Sequence, residues 1–360
     1  MIYQARFVCK LKERRNSIPV RIGDVTVGGG SPVVVQSMTK TDTRDVMSTI
    51  DQIREMEECG CEIVRVAIPD AGAAQAIKAI KSATSIPLVA DIHFDYRLAL
   101  MALESGVDGL RLNPGNIGEA GEVAEVAKSA GERGVPIRVG VNAGSLPASA
   151  NADVTVSRRM VDAAMEQVRL LENMDFGLIK VSLKAFDVPA TIEAYLDIAQ
   201  RIPYPLHVGI TEAGPPKTGI IRSTAGIATL LYLGIGDTIR VSLTGDPVEE
   251  VNAGYEILKS MSLRRHGPVL VSCPSCGRAE VEIIRLAGEV EQRLKGIKKP
   301  LKVAVMGCVV NGPGEARDAD IGIACGKGKA VLFRKGKMIR TIPEDRAVDA
   351  LMRAVEGMEG

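Results

Sequence analysis

The clearest architectural signal lies in residues 63–112, which read IVRVAIPDAGAAQAIKAIKSATSIPLVADIHFDYRLALMALESGVDGLRL. Short runs rich in β-branched residues alternate here with longer segments whose apolar residues recur with helical periodicity. The predicted strands are Ile63–Val66, Leu88–Ala90 and Gly109–Leu112, and the predicted helices are Ala73–Ser82 and Tyr96–Ser105. This alternation is typical of βαβ units with parallel strands, so the stretch predicts an α/β fold.

The same alternation continues on both sides of this stretch. Further strands are predicted at Val33–Gln36, Ile137–Val141, Leu178–Val181, Leu206–Ile210 and Thr238–Val241. Further helices are predicted at Val46–Cys59, Gly118–Gly131, Ser157–Asn173, Ala190–Ile202, Thr218–Leu233 and Pro247–Met261. Eight strand–helix units in about 230 residues match a (β/α)8 TIM barrel. A doubly wound open sheet also alternates strands and helices, but no Gly-x-Gly-x-x-Gly motif follows the first strand, so a dinucleotide-binding fold has no support.

A second, smaller domain is predicted after Leu263–Gly267, where the alternation ends. Its expected elements are strands at Val269–Val271, Lys302–Val305, Ile321–Ala324 and Ala330–Phe333, and helices near Ala279–Leu294 and Glu344–Val355. A hairpin at Ile18–Gly30 precedes the barrel. The sequence therefore predicts a substrate-binding TIM barrel at residues 1–262 and an α+β metal-binding domain at residues 263–360.

The composition of the chain argues against nucleic-acid-binding, membrane and disulfide-stabilised secreted proteins. The chain has 360 residues with 45 basic and 44 acidic side chains, so no overall charge favours nucleic acid or membranes. The N-terminal segment lacks the apolar core of a signal peptide, and no apolar run reaches the ~18 residues of a membrane helix. Seven cysteines in such a chain indicate thiols in a reducing compartment rather than a disulfide framework. We therefore expect a soluble cytoplasmic protein.

Three cysteines of the second domain lie among proline, serine and glycine residues. Cys273 and Cys276 form a Cys-x-x-Cys loop, and Cys308 follows a predicted strand. Two thiolates three residues apart can bind one metal centre, and a third can come from a separate strand. A redox pair, buried thiols, or a four-cysteine zinc site that uses Cys325 would also produce this pattern.

Polar residues occupy or follow nearly every predicted barrel strand, near the end where the active sites of TIM barrels lie. They are Arg65, Asp91, His93, Arg111, Asn113, Arg138, Asn142, Ser182, Lys184, Glu212, Arg240 and Ser242. Five of them are cations, which predict a local anion site suited to a diphosphate through bidentate contacts. Each arginine alone could instead be a solvated residue at a strand end. His207, inside a predicted strand, is expected in the core.

Several segments together resemble one family. They are Val35–Thr39, Ile63–Val66, Ala90–Phe94, Asn113–Gly118, Gly140–Leu146, Gly209–Gly214 and the set Cys273, Cys276, Cys308 and Glu315. In residue identity and spacing they are similar to the 4-hydroxy-3-methylbut-2-en-1-yl diphosphate synthases of the non-mevalonate isoprenoid pathway. The similarity extends over nearly the whole chain, and the length matches the short, two-domain bacterial form.

The resemblance implies a [4Fe–4S] cluster held by Cys273, Cys276, Cys308 and Glu315, whose carboxylate is a harder and more displaceable iron ligand than a thiolate. It implies that Glu212 faces the reacting carbons, and that His93 binds the substrate. The implied reaction is the reductive ring opening and dehydration of 2-C-methyl-D-erythritol 2,4-cyclodiphosphate to (E)-4-hydroxy-3-methylbut-2-enyl diphosphate. Reduced flavodoxin or ferredoxin is the implied electron donor, and a homodimer whose cluster domains cap the partner barrels is the implied assembly.

Three other functions remain open at the level of sequence. One is a redox-inactive barrel transferase that acts on a diphosphate and carries a structural zinc module. Another is an iron–sulfur sensor or carrier, against which the cationic barrel and the lack of nucleic-acid motifs argue. The third is a relative of sulfite or nitrite reductases, suggested by Gly307–Gly314, although the further cysteines that such proteins need are missing.

Overall fold

The computed structural model describes residues 11–112, 119–146, 153–276, 279, 281–308 and 316–358. The chain forms two compact units, Met1–Arg264 and Arg265–Gly360. The first is a parallel eight-stranded barrel and the second is a small α+β unit, so the predicted fold class is confirmed. No helix in the described ranges has both the length and the apolar character that crossing a membrane requires.

The first unit begins with an antiparallel hairpin, β1 (Val20–Ile22) and β2 (Val25–Val27). Its turn contains Gly23 at φ +59°, a left-handed conformation that glycine adopts without strain. The apolar side chains of the hairpin pack against those at the N-terminal ends of three barrel strands: Val20, Ile22 and Val27 against Val34, Ile63 and Val89. The hairpin therefore packs across the bottom of the barrel.

Eight strands form the barrel, in the sheet order β8-β7-β6-β5-β4-β3-β10-β9. They are β3 (Val34–Met38), β4 (Ile63–Ala67), β5 (Leu88–Asp91), β6 (Gly109–Leu112), β7 (Ile137–Asn142), β8 (Ile179–Lys184), β9 (His207–Val208) and β10 (Thr238–Ile239). A parallel bridge between Val181 and Leu206 joins β8 to the residue before β9, which closes the sheet on itself.

A helix follows each barrel strand. The helices are α1 (Val46–Glu58), α2 (Ala71–Ala83), α3 (Tyr96–Glu104), α4 (Ala120–Glu132), α5 (Val156–Glu172), α6 (Val188–Arg201), α7 (Pro216–Tyr232) and α8 (Pro247–Ser260). Five of them begin after an aspartate whose carboxylate accepts a hydrogen bond from the first turn, as at Asp45 and Asp70. Their apolar faces cover the outer surface of the sheet and form the main core.

The second unit contains a five-stranded mixed sheet in the order β11-β12-β13-β14-β15. Its strands are β11 (Val269–Ser272), β12 (Lys302–Met306), β13 (Ile321–Gly326), β14 (Lys329–Arg334) and β15 (Lys337–Pro343), and its helices are α9 (Ile283–Leu294) and α10 (Ala347–Glu356). The first three strands are parallel and the last three antiparallel. Both helices pack on one face of the sheet.

The sequence prediction for this unit needs three corrections. Strand β15 was not predicted, because five consecutive residues from Lys337 to Thr341 are exposed and show no apolar alternation. The last helix begins at Ala347 rather than Glu344, since residues Glu344–Arg346 form one turn of 3-10 helix. The helix expected near Ala279 begins at Ile283.

Candidate active site

The inner surface of the barrel is polar because side chains alternate along each strand. On β8, Ile179, Val181 and Leu183 belong to the outer apolar core, so Lys180, Ser182 and Lys184 point to the interior. The pairing of adjacent strands places inward-facing side chains of neighbouring strands side by side. Asp91, Arg111, Arg138 and Lys180 lie opposite one another on four consecutive strands. Four charged side chains thus form one continuous row around part of the barrel.

Asp91 links three cationic or titratable side chains of this surface. Its Oδ1 accepts a hydrogen bond from Arg111 Nη1 at 3.1 Å, its Oδ2 lies 3.4 Å from Arg65 Nε, and His93 Nε2 lies 3.6 Å from Oδ1. Burial alone would raise the pKa of Asp91, but the positive charges of Arg65 and Arg111 outweigh it and lower the pKa to about 2. Asp91 is therefore a buried carboxylate that remains ionised and orients two arginines.

Substituting Asp91→Asn is expected to lower the free energy of unfolding by about 3 kcal/mol, because Arg65 and Arg111 lose their counter-charge. The depressed pKa of Asp91 means that its stabilising effect is complete above the unfolded pKa of about 3.9 and is lost as the pH falls towards about 2. Urea unfolding of both proteins at neutral pH and at about pH 3 measures this, with exposed Asp162→Asn as control. A loss for Asp91→Asn that is the same at both pH values would contradict this account.

Arg138 and Lys180 are buried cations with incomplete hydrogen bonding. Arg138 is 4% exposed and donates from Nη1 to Ser182 Oγ at 2.8 Å, whereas its Nε and Nη2 have no partner among the described residues. Lys180 is 3% exposed, and within the described structure its Nζ also has no partner. Burial and then the charges of Arg65 and Arg111 hold the pKa of Arg138 well below its usual value. Unsatisfied buried donors are costly, so their persistence indicates a site for an anion.

Lys184, His207 and Thr238 form a polar chain on the neighbouring strands β8, β9 and β10. Its Nζ lies 3.0 Å from His207 Nε2, and His207 Nδ1 lies 2.7 Å from Thr238 Oγ1. Burial first, and then the neighbouring charges of Lys184 and Arg138, lower the pKa of His207 well below its usual value. A neutral imidazole can accept at Nε2 from Lys184 Nζ and donate from Nδ1–H to Thr238 Oγ1. Burial also lowers the pKa of Lys184. The expectation that His207 lies in the core is confirmed by its complete burial.

Glu250, at the N-terminal end of α8, is a buried carboxylate that we did not predict as part of the site. It accepts hydrogen bonds from Ser37 Oγ at 2.9 Å, from the backbone N–H of Leu243 at 3.0 Å and from Arg240 Nε at 3.2 Å. Lys40 Nζ lies 3.2 Å from it. Glu250 thus fixes Arg240 beside the strand-end residues.

The remaining predicted residues lie at the more open end of the barrel. Asn142 and Ser242 are half-buried, and the side chain of His93 is 55% exposed. Glu212 is exposed and has φ +54°, an unusual backbone conformation for a residue other than glycine. Its carboxylate lies close to Gly144, after β7, and the N-cap of α7 is Pro215. Asn113 and Glu315 lie outside the described residues.

The cysteines of the second unit lie at one end of its sheet. Cys273 follows β11 and is half-buried, Cys276 is exposed, and Cys308 follows β12 and is 7% exposed. The backbone N–H of Gly307 donates to Cys273 Sγ at 3.3 Å. Cys325, at the end of β13, is completely buried in the apolar core, and burial raises the pKa of its thiol to about 11. A packed thiol therefore describes Cys325 better than a metal ligand does.

The fit of a metal cluster to these residues can be tested on the described chain. No group of three or more His, Cys, Asp or Glu side chains within it is close enough to hold a metal ion. The donor chemistry nevertheless fits an iron–sulfur cluster, since none of the described cysteines forms a disulfide and a backbone N–H points at one thiol, as at thiolate ligands of such clusters.

A parallel barrel with a cationic interior, followed by a small α+β unit with thiols at its strand ends, defines a class of two-domain α/β barrel protein. Two domain families match this chain: "GcpE TIM-barrel domain" over residues 17–255 and "GcpE protein C-terminal domain" over residues 269–357. The chain belongs to the GcpE family.

Similar proteins cover nearly the whole chain. A protein of Dehalococcoides mccartyi is 63% identical over 345 residues, which are 96% of this chain and 99% of the relative. A protein of Geobacter sulfurreducens is 57% identical over 339 residues, 94% of this chain and 96% of its own length. Both are named 4-hydroxy-3-methylbut-2-en-1-yl diphosphate synthase (flavodoxin).

Solved structures resemble the barrel only. A dihydropteroate synthase from Yersinia pestis aligns with a TM-score of 0.51 and 13% sequence identity, covering 68% of this chain and 99% of that chain. At this identity the likeness shows the fold alone.

Proposed function

We propose that this chain is a 4-hydroxy-3-methylbut-2-en-1-yl diphosphate synthase that reductively opens 2-C-methyl-D-erythritol 2,4-cyclodiphosphate. In this reaction the ring C–O bond to phosphate breaks, two electrons are consumed, and one hydroxyl leaves as water. The observation that carries the proposal is the charge of the barrel interior. Asp91 contacts Arg65 and Arg111 and lies near Arg138, and Glu250 contacts Arg240. Two buried lysines, Lys180 and Lys184, face the same interior, and burial lowers the pKa of each.

The interior cations can bind the two phosphates of the substrate. Arg138 retains two unused donor nitrogens, and bidentate contacts between guanidinium and phosphate are strong and directional. Asp91 and Glu250 hold Arg65, Arg111 and Arg240 in place before the substrate arrives, so little reorganisation is needed on binding. The same charges stabilise the negative charge that collects on the phosphate as its bond to carbon breaks.

Glu212 and His93 are the residues that we propose to act on the carbon skeleton. Both are exposed at the open end of the barrel, and the strained backbone at Glu212 sets the direction of its carboxylate. We assign Glu212 to proton transfer and stabilisation of positive charge at the reacting carbons. His93, held at 3.6 Å from Asp91, can donate a hydrogen bond to substrate oxygen.

A [4Fe–4S] cluster, held by Cys273, Cys276, Cys308 and Glu315, would supply the two electrons one at a time and a Lewis-acidic iron. Reduced flavodoxin is the proposed donor, supported by the names of the relatives. The proposed assembly is a homodimer in the cytoplasm, in which the cluster-binding unit of one subunit caps the barrel of its partner.

Protein purified without oxygen tests the proposal. We expect about four iron and four sulfide per chain, visible absorption that bleaches on dithionite, and ring-opened product from the cyclodiphosphate. Sedimentation should give the mass of two chains. A colourless protein with one tightly bound zinc, or an iron-replete protein that binds the cyclodiphosphate and forms no product under reducing conditions, would favour the barrel transferase instead.

A further inference from the structure

One edge of the second unit is exposed and strongly cationic. Among the described residues, strand β15 pairs only with β14, so its outer side is an open sheet edge. Residues Lys337 to Thr341 are all exposed, and two of them are large and apolar: Met338 is 70% exposed and Ile339 is 52% exposed. Unpaired backbone groups beside exposed apolar side chains form a surface to which another protein can bind.

The charge of this edge is unusual for a chain with a formal net charge of +1. Between Ile321 and Pro343 the sequence contains six basic residues and no acidic residue. We call these six residues the cationic edge: Lys327, Lys329, Arg334, Lys335, Lys337 and Arg340. All six are exposed, and within the described structure none of them forms an ion pair. The nearest carboxylates in the sequence flank the segment on both sides: Asp318, Asp320, Glu344 and Asp345.

Protection against aggregation explains only part of this pattern. Lysine on an edge strand discourages pairing with another sheet, which would account for Lys337 and Arg340. It does not account for the cations in the turns next to β14, or for the exposure of Met338 and Ile339 in the same strand. Apolar residues ringed by like charges are instead typical of a surface that binds a partner of opposite charge.

The cationic edge reaches the end of the sheet where the cysteines lie. Strands β11, β12 and β13 are parallel and in register, so Cys273, Cys308 and the turn at Lys327 follow neighbouring strand ends. Lys329, on the other side of this turn, lies opposite Pro343 at the end of β15. A protein bound along β15 would therefore lie within the same small unit, three strands from β12 and four from β11, or about 14–19 Å from the strands that carry Cys308 and Cys273.

We propose that the cationic edge is the docking surface for an acidic one-electron carrier protein, namely reduced flavodoxin. This inference rests on the proposed function, because only a redox enzyme needs such a partner. Opposite charges on the two proteins would accelerate and orient their encounter, and the apolar residues Met338 and Ile339 would lie at the centre of the contact.

Charge reversal tests the proposal directly. The double variant Lys337→Glu with Arg340→Glu keeps charges on the edge strand, so its protection against aggregation is retained while its attraction for an acidic protein is reversed. The matched control is Lys295→Glu with Lys298→Glu, which reverses two exposed lysines between α9 and β12 in the same unit. Each holoenzyme is assayed with reduced flavodoxin and, separately, with dithionite as the reductant.

We expect the edge variant to lose at least about tenfold in flavodoxin-dependent kcat/KM at low ionic strength, with the difference shrinking at high salt. Dithionite-driven turnover should remain unchanged, and the control variant should change by less than about twofold in both assays. Equal flavodoxin-dependent rates in all three proteins would overturn the docking surface.

Other results identify other causes. If the wild-type holoenzyme gives no product with dithionite, the proposed function is wrong and this inference fails with it. If the edge variant changes the sedimentation mass instead of the flavodoxin dependence, the edge binds a second copy of this chain. If the wild-type protein binds duplex DNA and the edge variant does not, while flavodoxin-dependent turnover is the same in both, the edge is a nucleic-acid surface and the proposal is likewise overturned.

Discussion

Replacing Arg138 with methionine is expected to reduce kcat/KM for the cyclodiphosphate about a thousandfold, or ~4 kcal/mol, without destabilising the protein. Among the described residues, Arg138 makes one hydrogen bond, to Ser182, while its Nε and Nη2 have no partner there in a buried site. Those two groups are available to phosphate oxygens. Their loss would remove two charge-assisted contacts from a site that water reaches poorly.

The stability of the Arg138→Met protein separates this role from a structural one. A buried cation beside Arg65 and Arg111 costs folding free energy, and methionine has similar length without the charge. We therefore expect the free energy of unfolding without ligand to be unchanged or to rise by about 1–3 kcal/mol. Urea unfolding and direct titration with the substrate measure the two effects separately.

Arg133→Met is a suitable control, because Arg133 is exposed at the end of α4. It should alter neither substrate affinity nor stability measurably. If Arg138→Met unfolds at lower urea concentration and binds the substrate as tightly as the wild type, Arg138 supports the fold and does not bind phosphate.

Replacing Cys308 with serine is expected to reduce bound iron from about four to below about one per chain, and to remove the visible absorption. Serine is nearly isosteric, but its hydroxyl is a poor ligand for the soft iron of such clusters. Cys308 is almost fully buried at the end of β12, so the substitution leaves the packing of the unit nearly unchanged. Iron, sulfide and zinc analysis of protein purified without oxygen provides the measurement.

Cys325→Ala is the matched control for this variant. Cys325 is completely buried among apolar side chains at the end of the neighbouring strand β13. Its replacement should cost about 1 kcal/mol of stability and leave the iron content unchanged. If Cys325→Ala loses metal as completely as Cys308→Ser, four cysteines bind the metal and the zinc interpretation is favoured.

The barrel could be predicted from sequence because its strands are buried on both sides. In Ile63–Ala67 every second side chain is apolar and packs on the helices, so the strand is visible whatever its inner residues are. The opposite case is β15, whose exposed residues carry no such signal. It is held by its pairing with β14, which a local pattern cannot reveal.

Two residues of the candidate site were missed for different reasons. Lys180 lies on the same face of β8 as Ser182 and Lys184, which were predicted. The predicted strand ended at Val181, before Ser182 and Lys184, so the common face of the three residues was not recognised. Glu250 gave no distinctive signal, since an acidic residue in the first turn of a helix also stabilises the helix dipole. Only tertiary structure distinguishes it from its exposed neighbour Glu249.

The hairpin β1–β2 restricts how molecules reach the interior of the barrel. Because it packs across the bottom of the barrel, it covers that end, and molecules must reach the inner polar residues from the opposite end. Substrate, product and displaced water must then all use the same entrance. The product must leave before the next substrate binds, and any small diphosphate bound to the inner cations blocks both substrate binding and product release.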